Sequence, residues 1–129
     1  QIYSTALPPA ICAAACKALE IIQAEPDRRR LLHANAEFLR MELQNIPGVN
    51  VVESSGPIIP VILKDPDLTM QIAAELQQAG FLVGAIRPPT VPEGTSRLRI
   101  SITCAHQRDD LERFLKALDR SLARIGESR

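Results

Sequence analysis

Residues 97–103, Arg-Leu-Arg-Ile-Ser-Ile-Thr, alternate polar and apolar side chains without a break. Successive side chains on a strand point to opposite faces, so this run fits a sheet covered on one side only. Leu98, Ile100 and Ile102 lie under the cover. Arg97, Arg99, Ser101 and Thr103 face the other way, toward whatever the sheet presents to its surroundings. That single pattern dictates two layers, with helices packed on one sheet face and the other face left open.

The remaining periodicities supply the helices. Ala10 to Ile22 is apolar nearly all round, with prolines at its first turn where they cost least, and such a helix expects cover on most sides. Part of that cover is expected to lie outside this chain. Leu32, Ala36, Leu39, Leu43 and Ile46 form one stripe, with Arg28, Arg29, Glu37, Arg40 and Glu42 facing water, and Pro47-Gly48 ends the helix. Short strands follow over 49–52 and 58–63. Pro60 removes one ladder donor from the second and predicts an edge position or a bulge. Asp65 caps a helix with Leu68, Ile72, Leu76 and Ala79 inward, closed by Gly80. A strand over 81–86 leads to the 97–103 strand. Leu111, Phe114, Leu115, Leu118, Leu122 and Ile125 then mark a last helix. The order after the first helix is α, β, β, α, β, β, α: an α+β domain with a small, mostly antiparallel sheet.

Fifteen basic and fifteen acidic residues cancel, so no net field steers the chain to nucleic acid or an anionic membrane. Aromatics at 3% also argue against stacking on bases, and no apolar run approaches the roughly 20 residues of a membrane span. Cys12, Cys16 and Cys104 form no disulfide framework, which suggests a reducing, cytoplasmic setting with the thiols as small core residues. Their spacing, with His106, fits no zinc pattern.

Chemistry concentrates between the last two strands. Pro88, Pro89 and Pro92 fix φ at about −65° and remove three donors, leaving Thr90 in the middle with one hydroxyl to offer. Such a loop is either a stiff connector or the floor of a pocket. An arginine in mid-strand beside it is either a solvated or paired surface group or a fork of donors for a carboxylate or phosphate.

Three stretches taken together, YSTALPPA from Tyr3 to Ala10, AIRPPTVPEGTSRLRIS from Ala85 to Ser101, and Ala105-His106, resemble the 8-amino-7-oxononanoate synthase family. These are α-oxoamine synthases, fold-type-I pyridoxal-phosphate enzymes, and the resemblance covers essentially the whole chain as the family's C-terminal third. Sister synthases differ around the PPT and RLRIS positions, which favours the biotin-pathway branch.

The resemblance implies condensation of L-alanine with a pimeloyl thioester, carried by coenzyme A or acyl carrier protein, with loss of carbon dioxide. It implies a cytoplasmic homodimer using pyridoxal 5'-phosphate, with no nucleic-acid or membrane partner. Residue by residue, it implies Arg99 as the partner of the amino-acid carboxylate and Thr90 as a contact on the acyl side. Ser4 and Thr5 would approach the cofactor phosphate of the neighbouring subunit, and His106 is read as structural.

The family's cofactor lysine, the aspartate on the pyridine nitrogen and the ring-stacking histidine lie upstream of this region. Lys17, Lys64 and Lys116 match none of these, so no catalytic residue is expected here and the chain alone is expected to be inactive. The absent initiator Met is consistent with a piece of a longer protein. Residues 1–25 would lead in from a large cofactor domain, and 26–129 would form the C-terminal small α+β domain. Two other readings stay open: a sister α-oxoamine synthase resembling glycine C-acetyltransferase, and a non-catalytic α+β module that holds a small anion.

Overall fold

A computed structural model describes residues 6–52 and 54–126. Its elements run Pro9–Ala24 (α1), Pro26–Gln44 (α2), Asn50–Val51 (β1), Ile58–Lys64 (β2), Pro66–Gln78 (α3), Gly84–Ile86 (β3), Ser96–Ser101 (β4) and Arg108–Gly126 (α4). The order expected from the sequence is the order found. The four strands form one antiparallel sheet in the order β1-β2-β4-β3.

One core joins the layers. Ile59 and Val61 of β2 and Leu98 and Ile100 of β4 meet Leu39 and Leu43 of α2, Ile72 and Leu76 of α3, and Leu111, Phe114 and Leu118 of α4. Each fully buried aliphatic side chain of this kind contributes about 1.5–3 kcal/mol, so the helical face of the sheet carries the stability. The fold is a two-layer α+β domain with its helices on one sheet face.

Local chemistry sets the joints. Asp65 caps α3 by accepting from the backbone N–H groups of Asp67 (2.8 Å) and Leu68 (3.1 Å). At the other end Gly80, at φ +89°, turns the chain out of the helix. Its N–H donates to the Gln77 carbonyl and that of Phe81 to the Leu76 carbonyl, so Phe81 folds back onto the core and aims the chain at β3.

Several expectations need correction. Pro60 sits in an interior strand, and the sheet irregularity falls between Ile62 and Lys64 instead. Pro60 is tolerated because its carbonyl accepts from Val52, which puts its donor-less nitrogen on the side of the two-residue β1 rather than against β4. The strands over 81–86 and 49–52 shorten to β3 and β1, the stretches that keep ladder partners in register. Ala79 is exposed, as the residue that ends α3. Arg40 is half-buried rather than solvated and donates to the Gly56 carbonyl. The cysteines are not core residues: Cys12 and Cys16 are exposed and Cys104 is half-buried. The reason is that α1 buries none of its residues against the rest of the chain, with Ile11 57% and Leu19 59% exposed.

Candidate functional site

Antiparallel register determines what surrounds each outward side chain of β4. Arg99 lies between Pro60 of β2 and Gly84 of β3, and Arg97 lies between Ile62 and Ile86. Ser101 stands opposite Ile58. The open face is thus an apolar wall crossed by two guanidinium groups, with no carboxylate in the paired rows.

The two arginines are not equivalent. Arg97 is half-buried and its Nε donates to the Thr95 carbonyl at 2.9 Å, so its own backbone occupies part of its fork. Arg99 is exposed, and no hydrogen bond or ion pair engages it among the described residues. A planar, permanently charged fork with every donor free, flanked by a proline ring and a glycine, is built to take a carboxylate or phosphate in two-point contact.

The loop at 87–95 closes the β3–β4 hairpin at the Arg97 end. Its turns are held by backbone bonds, Thr90 N–H to the Arg87 carbonyl (3.1 Å) and Thr95 N–H to the Pro92 carbonyl (3.2 Å). The Thr95 hydroxyl also donates to the Pro92 carbonyl at 2.6 Å. Thr90 is exposed and its hydroxyl makes no hydrogen bond among the described residues. Strand rise places Arg99 about 7 Å deeper along β4 than Arg97. Thr90 in the loop and Arg99 opposite Gly84, the first residue of β3, therefore lie toward opposite ends of one short hairpin. Beneath the loop, a depression of about 370 Å³ is framed by Pro66, Arg87, Pro88, Glu93 and Gly94.

Other candidates fall elsewhere. Ser4 and Thr5 lie outside the described residues. His106 ties a turn: its Nδ1 accepts from the Thr103 N–H (3.2 Å), and its carbonyl accepts from the Asn35 side chain (3.0 Å). A depression of about 440 Å³ lies between residues 81–83 and α4, lined among others by Phe81, Ile102, His106, Asp110 and Phe114. It does not include Arg97 or Arg99. Gly84 carries no signal of its own in the sequence, because its place opposite Arg99 comes only from the register of β3 and β4. The general signal is a glycine inside a strand pattern, which marks a close approach.

The sequence matches the aminotransferase class I and II family over residues 1–118. The chain belongs to the aminotransferase class I and II family. Within this family it is 44% identical to the 8-amino-7-oxononanoate synthase of Anaeromyxobacter dehalogenans over 117 residues, covering 91% of this chain and 29% of that one. The chain spans about a third of the length of the curated relatives it matches. A serine palmitoyltransferase solved with its pyridoxal phosphate internal aldimine superposes with a TM-score of 0.90 at 26% identity, over 96% of this chain and 31% of that one. The 8-amino-7-oxononanoate synthase of Francisella tularensis shares the fold with a TM-score of 0.80 at 24% identity, over 95% of this chain and 35% of its own.

The aminotransferase-family cofactor itself finds no fitting site among the described residues. Lys17 pairs with Glu20 on the exposed α1, and Lys116 is exposed on α4, across the core from the open sheet face. Lys64 pairs in register with Ser96, three residues along β4 from Arg99. What the open face offers at Arg99 is a fork of free donors for a small anionic group, carboxylate or phosphate.

Proposed function

We propose that this chain is the amino-acid-gripping part of an 8-amino-7-oxononanoate synthase. The whole enzyme would join L-alanine to a pimeloyl thioester, releasing carbon dioxide and the free thiol of coenzyme A or acyl carrier protein. The observation that carries the reading is Arg99, a guanidinium without a partner on an exposed, acid-free sheet face. The identity to curated synthases supports the choice of substrate pair.

In this reading Arg99 binds the alanine carboxylate with two parallel hydrogen bonds and fixes its plane. Pro60 and Gly84, the neighbours of Arg99 in register, bring no carboxylate to compete for that ion pair. Thr90 offers its hydroxyl on the acyl side. Pyridoxal 5'-phosphate, when bound, acts as the electron sink for the amino acid's α-carbon. It would be held by residues outside this chain, with Ser4 and Thr5 reaching the cofactor phosphate of a partner subunit in a cytoplasmic homodimer. Residues 1–25 would link this domain, 26–129, to the cofactor domain. The chain alone would be inactive.

A second reading is a sister synthase with another amino acid or acyl donor, favoured by the close superposition on a serine palmitoyltransferase. The deciding experiment assays the full-length protein with alanine, glycine or serine against pimeloyl, acetyl and palmitoyl thioesters, each on both carriers. Turnover confined to alanine and the pimeloyl donor is expected. A preference for glycine or serine would replace this reading with the second. No turnover with any pair, and no amino-acid binding, would leave only an anion-holding module.

A further inference from the structure

We infer that Gly84 is a positioning residue for the amino-acid carboxylate, because the trough left by its missing side chain is where the Arg99 arm lies. This rests on the reading of Arg99 as the carboxylate's partner. A Cβ built at Gly84 would stand 3.5 Å from the Arg99 Cβ and 3.6 Å from its Nε. Nε stands three bonds beyond Cβ and is still almost as near, so the arginine arm leans over the glycine. On its other flank stands Pro60, whose ring offers no polar group.

Conformation does not explain the glycine. Gly84 is not in the left-handed region that only glycine enters readily, unlike Gly48, Gly80 and Gly94. In a strand, glycine gives up side-chain packing and costs backbone entropy. The space beside it is bounded by Arg99: a first carbon would meet the arm at ordinary contact distance, and any branch beyond it would press on the arm. Since no hydrogen bond or ion pair fixes Arg99 among the described residues, its neighbours set where the guanidinium stands. A branched side chain at position 84 would fill the trough and lift the fork off the sheet.

The test uses the full-length, cofactor-loaded enzyme. Gly84→Val should raise the KM for the amino acid, and its Kd from spectral titration of the cofactor band, roughly 10- to 100-fold, as expected for a misplaced binding group. The KM of the thioester and the cofactor affinity should change less than about 3-fold, because Gly84 acts only through Arg99. Gly84→Ala adds one methyl group at ordinary contact distance and should show a smaller loss in the same direction; it repeats the test should valine unseat β3.

A double-mutant cycle separates the alternatives. On an Arg99→Ala background, Gly84→Val should cost less than about 2-fold more, since the arm it displaces is gone. An undiminished cost on that background would overturn the inference. So would unchanged amino-acid binding in Gly84→Val while Arg99→Ala binds poorly, and that result would leave the carboxylate reading standing. Unchanged binding in Arg99→Ala would instead remove the carboxylate reading and this inference with it.

Discussion

Arg99 and Arg97 are two residues apart on one strand face, yet their surroundings assign them different work. In the full-length enzyme, Arg99→Ala should lower kcat/KM for the amino acid roughly 10- to 150-fold, the equivalent of about 1.5–3 kcal/mol for one charge-assisted hydrogen-bonded pair. Arg99→Lys should recover only part of that, because an ammonium does not match both carboxylate oxygens. Arg97→Ala should do less, since its Nε is already committed to the Thr95 carbonyl. Steady-state kinetics on the three variants check the ranking, and equal damage from Arg97→Ala and Arg99→Ala would show the carboxylate partner to be misassigned. Alternation made both arginines legible in the sequence. It could not tell them apart, because the Arg97 bond depends on how the loop returns its Thr95 carbonyl to the strand.

Elements differ in how far their own residues define them. The apolar stripe of α4 is buried at Leu111, Phe114, Leu118 and Ile125, matching its 3.6-residue spacing. Leu118→Ala should cost about 2–5 kcal/mol in urea unfolding, as for other fully buried leucines. The same helix begins with a charge device: Asp110 accepts from the Gln107 N–H at 3.0 Å. That hydrogen bond, together with the Arg113 guanidinium and against a smaller effect of burial, holds the Asp110 carboxyl below its ordinary value of 3.8. A depressed carboxyl stabilises the fold fully above its unfolded pKa, and the contribution fades as pH falls through the lower folded one. Asp110→Asn should therefore lower Tm at pH 7, and the gap to wild type should close below pH about 3.8. A gap that persists unchanged in acid would mean the charge is irrelevant. Strand ends were less legible than helices, because β1 and β3 end while β2 and β4 run on past them, and pairing is not written in either strand alone. Helix α1 shows the opposite failure, for its composition asks for cover that the described residues do not provide. In the isolated chain its amides should exchange with solvent far faster than those of α4 or β4, measurable by hydrogen exchange. Protection of α1 equal to that of α4 would contradict its exposed placement.

Taken whole, the molecule has one side packed under its helices and one side left open. The two-layer arrangement was readable in advance, since each helix stripe and the β4 alternation needed the same interior. The position of Pro60 was not, because the order β1-β2-β4-β3 makes β2 interior through long-range pairing. Nor was the trough at Gly84. With no lysine beside Arg99, the chain on its own, treated with pyridoxal phosphate and borohydride, should show no stoichiometric label at a single lysine. Mass spectrometry of the digest checks this, and one fully labelled site would refute it. Along β4 the even positions 98 and 100 are buried, whereas the odd positions 97, 99 and 101 face outward. Stability and recognition are thus interleaved as two messages on one tape, read on alternate letters. Deleting or inserting one codon within this strand would swap the messages, driving arginines into the oily layer and isoleucines outward. Substitution at an odd letter edits recognition alone. This stretch should therefore accept point changes on one reading while tolerating no change of frame by a single residue, and a library of deletions set against a library of odd-position substitutions would make the contrast countable.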